Sequence, residues 1–135
     1  MSLQNDLFTY LTGTPAVADL FPGGIYHESL PQEVKVWPAM SFFQAAQTEI
    51  AADMEQPNDA KLDEHLYQFD VFADNSDASI SAANTFLGIF RNFRGTMTAT
   101  RIQMVSLTNV SHIEERRGDK LRRRVSLDFS ITIDV

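Results

Sequence analysis

HLYQFDVFADNSDASISAANTFLGIFRNFRG, residues His65 to Gly95, changes its hydrophobic period from two to about 3.6 near Asn75. Before the change, Tyr67, Phe69, Val71 and Ala73 share one face and Gln68 and Asp70 the other, the alternation of a strand buried on at least one side. Leu66 and Phe72 keep the second face partly apolar. After the change, Ile80, Ala83, Phe86 or Leu87, Phe90 and Phe93 recur at helical spacing as a core stripe. Asp74, Asn75 or Ser76 can cap the start, and Asp77 adds negative charge to the first turn, where the helix dipole favours it. Arg91 and Arg94 fall in the last turn and Gly95 closes it, which predicts about 28 Å of helix. No residue of the stretch looks catalytic, so a well-formed strand and helix need another purpose.

Towards the N-terminus, Leu3, Leu7, Phe8 and Leu11 lie at helical spacing up to Gly13, a residue suited to a left-handed helix end. Thr14 and Pro15 then read as an N-cap and first helical residue, with Val17, Leu20 and Phe21 apolar on one side before the turn Pro22-Gly23-Gly24. Gly24 to Glu28 reads as a brief strand, and Leu30-Pro31 and Trp37-Pro38 bracket an extended loop. Ala39 to Gln47 is strand-like by composition, although its imperfect alternation leaves helix open. The acidic segment 49–64 contains the turn signature Pro57-Asn58-Asp59 and reads as a solvated hairpin loop.

Towards the C-terminus, Arg101 to Glu115 holds Ile102, Met104, Val110 and His112 in one parity and Val105 and Leu107 in the other, a strand with a bulge. Leu121, Val125, Leu127, Phe129, Ile131, Ile133 and Val135 alternate with Ser126, Asp128, Ser130, Thr132 and Asp134, the cleanest strand pattern in the chain. Gly118-Asp119 between them predicts a hairpin turn. The expectation is one α+β domain over residues 1–135. Its sheet of about four to five strands is mainly antiparallel and packs against a long helix, with short helices at the N-terminus.

The composition agrees with a folded unit: 135 residues, 44% hydrophobic and 21% charged, can bury a core without metal or disulfide staples. There is no cysteine, which excludes disulfides, thiolate nucleophiles and cysteine zinc sites. Neither a signal peptide nor a run of 18 apolar residues is present, so the expectation is a soluble protein made in a cytoplasm, with no membrane partner. The formal charge of −7 conceals a segregation. Glu49, Asp53, Glu55, Asp59, Asp63 and Glu64 crowd one segment against a single Lys61, while Arg116, Arg117, Lys120, Arg122, Arg123 and Arg124 crowd residues 116–124 against Asp119.

Chemistry-bearing motifs do not emerge. His27, His65 and His112 have no metal-binding spacing, and GxSxG, GxGxxG and GxxxxGK[ST] are missing. Carboxylates gathered on a solvated loop lack the held, pKa-shifted geometry of acid–base catalysis. No catalytic residue, metal ligand or cofactor is expected, and the chain reads as a non-enzyme. The basic hairpin has three readings: a surface for a protein partner or an identical neighbour carrying the acidic loop ranks first, a solvated tip second and nucleic acid third. No aromatic residue alternates with these arginines to stack on bases, so specific nucleic-acid recognition is not expected.

Read in order, LFTYLTGTPAVADLFPGGIYHESLPQEVKVWPAMSFFQ, HLYQFDVFADNSDASISAANTFLGIFRNFRG and HIEERRGDKLRRRVSLDFSITIDV resemble the tail completion (tail terminator) family of long-tailed phages and gene transfer particles. The likeness lies in a "dPAVA.L" stretch, here Thr14 to Leu20, and an "IY...LP" stretch at Ile25 to Pro31. It continues in a proline before the next strand at Pro38, "YQFDV.A" running into a helix at Tyr67 to Ala73, and "R..LDF.I" at Arg124 to Ile131. The resemblance implies a virion structural protein at the neck, made in the host bacterial cytoplasm. It would form a ring of six copies that caps the tail tube and joins it to the head-side connector or stopper, with DNA passing through the lumen. A stopper of the same particle is the alternative, and a nucleic-acid-binding accessory protein ranks below it. The family pattern carries no catalytic residues, and the acidic loop varies too much within it for a role to be transferred.

Overall fold

The computed structural model describes residues 3–31, 34, 36–50, 62–117 and 120–134; for 48–50, 115–117 and 120–122 the description is of the main chain. Helices α1 (Leu3–Gly13) and α2 (Pro15–Ala18) lead into strands β1 (Ile25–His27), β2 (Ala39–Ile50) and β3 (Leu62–Ala73). Helix α3 (Ser76–Phe90) follows, then β4 (Gly95–Met97), β5 (Thr100–Arg117) and β6 (Lys120–Asp134). The strands form one six-stranded sheet in the order β1-β2-β3-β6-β5-β4. All pairings are antiparallel except β1 with β2, which is parallel.

The mixed α+β character and single core agree with the reading, but the count of four to five strands was low. The brief strand expected at Gly24 to Glu28 is β1, which runs parallel to β2 and places Ile25 beside Met40; the strand not expected is β4, a short hairpin arm that pairs Met97 with Thr100. A three-residue strand carries too little alternation to register as a pattern. The segment 49–64 is also less of a loop than expected, because β2 continues to Ile50 and β3 begins at Leu62. Main-chain pairing of Glu49 with Asp63 and Thr48 with Glu64 outweighs the low strand propensity of acidic residues there.

One face of the sheet carries the core. Phe69 lies at its centre, with ring centroids 5.6 Å from Phe42, 5.4 Å from Phe86, 5.2 Å from Phe90 and 5.5 Å from Phe129. Leu3, Leu7 and Leu11 of α1, Val17 of α2 and Phe21 complete it. Phe8, expected on the buried side of α1, is 40% exposed, and its place is taken by Asp6, whose carboxylate accepts a hydrogen bond from Thr100 Oγ1. A paired carboxylate can be buried where an unpaired one cannot, a distinction invisible to apolar spacing.

Helix α3 buries Ser79, Ala82, Ala83, Phe86 and Phe90, and Ile80 is turned outwards, 37% exposed. Small residues at 79, 82 and 83 let the first half of the helix approach the sheet closely, so the buried row starts one residue before Ile80. Of the three candidate caps it is Asn75 whose side chain accepts a hydrogen bond, from Ala78 N at 2.8 Å. The helix ends at Phe90 with Arg91 as its cap. Gly95 therefore does not close it, and its φ of 128° serves the entry to β4. Gly13 likewise is not left-handed: the break after α1 is made by Thr14, extended at φ −102°, ahead of Pro15.

Candidate interaction surfaces

The β3–β6 register places the two charged segments of the sequence. Leu62 pairs with Asp134 at one end, and Ala73 pairs with Arg123 at the other. Eleven strand steps of about 3.4 Å put these ends roughly 37 Å apart. Among the described residues the acidic and basic clusters therefore cannot neutralise each other within one copy.

At the basic end, β5 and β6 continue past the last residue of β3 as a two-stranded hairpin, pairing Glu115 with Arg122, Arg116 with Leu121 and Arg117 with Lys120. Gly118 and Asp119, the expected turn, lie outside the described residues. Arg116, Arg117, Lys120 and Arg122 thus sit on the projecting part, as the reading expected. Arg123 and Arg124 are at the base and have partners within the chain. Arg123 Nη1 lies 2.7 Å from Glu114 Oε2, a cross-strand ion pair. Arg124 Nη1 approaches Asp70 Oδ2 at 3.8 Å, and its guanidinium sits 5.8 Å from the Phe72 ring centre.

Asp70 is the centre of a polar cluster on the face of the sheet away from the helices, and it is almost wholly buried. Gln68 Nε2 donates to both its oxygens, at 2.9 and 3.2 Å, and Ser126 Oγ donates to Oδ1. Sequence alternation placed Gln68 and Asp70 on this face but could not show that Ser126 and Arg124 close over them. That pairing depends on the register between strands more than fifty residues apart.

At the acidic end, Asp63 accepts from Gln47 Nε2 at 3.3 Å and Glu64 from Ser130 Oγ at 2.6 Å. Asp53, Glu55 and Asp59 lie outside the described residues. An open cleft of about 410 Å³ nearby is lined by Gln4, Gln44, Gln47, His65 and Thr100. His65 is buried there; its Nδ1 lies 3.1 Å from Gln44 Nε2, and its Nε2 has no partner among the described residues. Burial lowers its pKa, opposed by the neighbouring charge of Asp63. His27 Nδ1 lies 2.9 Å from Gln4 Nε2. Both histidines thus meet glutamine amides, an arrangement that provides no activated nucleophile. Among the described residues no group of three or more His, Asp or Glu side chains could hold a metal ion, and no helix is long and apolar enough to cross a membrane.

The fold has a solved counterpart. It is similar to a chain in the structure titled "Virion of native gene transfer agent (GTA) particle", with a TM-score of 0.72 over 99% of this chain and 96% of that one, at 15% sequence identity. No protein-family model matches the chain, and no curated protein matches it in sequence.

Proposed function

We propose that the chain is a virion structural protein that closes the end of a phage-type tail tube as a ring and joins it to the head-side connector. The observation that carries the reading is the likeness of fold, across nearly the whole of both chains, to a chain of a gene transfer agent virion. The likeness covers nearly all of each chain and is not confined to a short shared segment. The sequence resemblance to tail completion proteins points to the same kind of particle and supplies the position within it. In this reading the chain has no catalytic activity and needs no cofactor. Its partners are its own copies in a ring of six, the tail tube protein and the head-side connector or stopper, and it resides at the neck with DNA crossing the lumen. The strand and helix of residues 65–95 then serve as the rigid wedge of a ring.

Particles assembled without this chain test the proposal. Full heads lying beside separate tails of scattered length are expected, because the tube has lost both its end and its joint. Tails of uniform length beside heads that have lost their DNA would make the chain a head-side stopper. Normal joined particles would reject both positions.

A further inference from the structure

Two strands of the sheet have an open side. β4 covers only Thr100–Ile102 of β5, and Arg94 Nε reaches the Gln103 carbonyl, so the outer edge of β5 is unpaired from Met104 onwards among the described residues. β1 covers only Met40–Phe42 of β2, which leaves its outer edge unpaired from Phe43 among the described residues. Open edges invite further strands, and proteins that stay monomeric guard them with lysine and other charged residues or with proline. This chain has 29 charged residues, yet 104–113 (MVSLTNVSHI) and 39–48 (AMSFFQAAQT) contain no Lys, Arg, Asp, Glu or Pro.

The two open edges also match each other. Met104 stands level with Glu64, through Thr132, and Asn109 level with Gln68, through Asp128. On the other side of the sheet, Thr48 pairs with Glu64 and Phe43 with Gln68. Residues 104–109 and 43–48 therefore occupy the same height. Each stretch contains one bulge, between Leu107 and Asn109 and between Gln44 and Ala46, and both bulges lie beside Tyr67 or its β6 partner Phe129. A bulge bends a strand and increases its twist, so the two edges are kinked at the same level. Because β2, β3, β6 and β5 alternate in direction, β5 and β2 run in opposite senses, and a rotated copy offers its β2 antiparallel to this β5.

We infer that the subunit contact is a shared sheet: residues 104–109 of β5 in one copy pair antiparallel with residues 43–48 of β2 in the next. The contact is heterologous, each copy giving one edge and receiving the other, which is the kind that closes into a ring. It also covers Met104, a large apolar side chain 55% exposed in the single copy. At equal height Ser106 faces Ala46, since both stand level with Leu66. This inference rests on the ring reading of the preceding section and adds to it which surfaces meet.

The full chain has no cysteine, so an engineered pair reports without background. The double variant Ala46→Cys, Ser106→Cys, cross-linked with a short bismaleimide where wild-type protein forms rings, is expected to give a ladder of covalent multimers up to the ring. Each single variant is expected to remain uncrosslinked. Independently, Ala46→Lys with Ser106→Lys should abolish the ring in native mass spectrometry and leave the melting temperature unchanged. Rings that form in the lysine variant, or wild-type rings whose double cysteine variant gives no ladder, overturn the shared sheet and leave the ring reading standing. Dimers from Ser106→Cys alone overturn it in favour of a symmetric β5–β5 contact. A chain that forms no ring alone or in joined particles removes the ring reading, and the shared sheet with it.

Discussion

Phe90 meets Phe129 edge-on, with ring centroids 5.0 Å apart and planes at 86°. This contact joins the end of α3 to the middle of β6, and both rings are fully buried. Edge-to-face packing places the positive rim of one ring on the negative face of the other.

Phe90→Ala should therefore destabilise the domain by about 3 to 5 kcal/mol, the usual cost of a phenylalanine-sized cavity. Asp128→Asn, on the opposite face of β6 and only half-buried, should cost far less. Thermal melts of the two variants decide it, and the reverse ranking would contradict the facing described for β6.

The Asp70 cluster predicts a second stability effect. Asp70→Ala leaves the Gln68 amide, the Ser126 hydroxyl and the Arg124 guanidinium without their shared acceptor on a buried patch. A loss of about 1 to 3 kcal/mol is expected, the range for unsatisfied buried polar groups. Chemical denaturation of Asp70→Ala beside Asp74→Ala, an exposed carboxylate, makes the comparison; equal midpoints would show that the cluster contributes nothing.

His65 predicts a pH dependence. Burial holds its folded pKa below the ordinary value of about 6.5, with Asp63 opposing the shift. The unfolded chain therefore takes up a proton at higher pH than the folded one. The stability from the neutral imidazole is whole above about pH 6.5 and is lost as pH falls through the folded pKa. Melting temperatures of His65→Gln should fall less steeply below about pH 6.5 than those of the wild type; parallel curves would exclude His65 as the cause.

The strand and helix of residues 65–95 and the alternation of β6 were legible because long elements repeat their pattern many times. What escaped was local or distant. β4 is too short to show a period, and α3 offered two apolar rows that differ by one residue, so small Ser79 and Ala82 decided a choice that Ile80 had suggested the other way. The partners of Asp70 and the matched height of the β2 and β5 bulges depend on register between strands far apart in the chain. Charge segregation was visible in composition; that Asp63 and Glu64 lie at one end of a strand pair and Arg123 and Arg124 at the other was not. Nor could composition show that Glu114 and Asp70 reach Arg123 and Arg124, because they do so only across the sheet.

These two ion pairs decide how the basic hairpin should be tested. Replacing Arg124 would disturb Asp70 and the fold, so the informative variant is Arg116→Ser, Arg117→Ser, Arg122→Ser, which leaves both internal ion pairs intact. If copies share a sheet with strands along the ring axis, all hairpins project from one rim and all acidic ends from the other. The hairpins then meet a joining protein more readily than a ring neighbour. Exposed ion pairs contribute only about 0 to 1 kcal/mol each, so the set should tune joining without affecting folding. Its effect should fade with salt, since screening acts over roughly 8 to 10 Å at physiological ionic strength. We expect the triple variant to lose head-to-tail joining, most clearly at low salt, with an unchanged melting temperature. Duplex DNA binding measured across the same salt series separates the alternative. If joining proceeds normally while a salt-sensitive DNA interaction disappears, the hairpin is a nucleic-acid surface and not a protein joint.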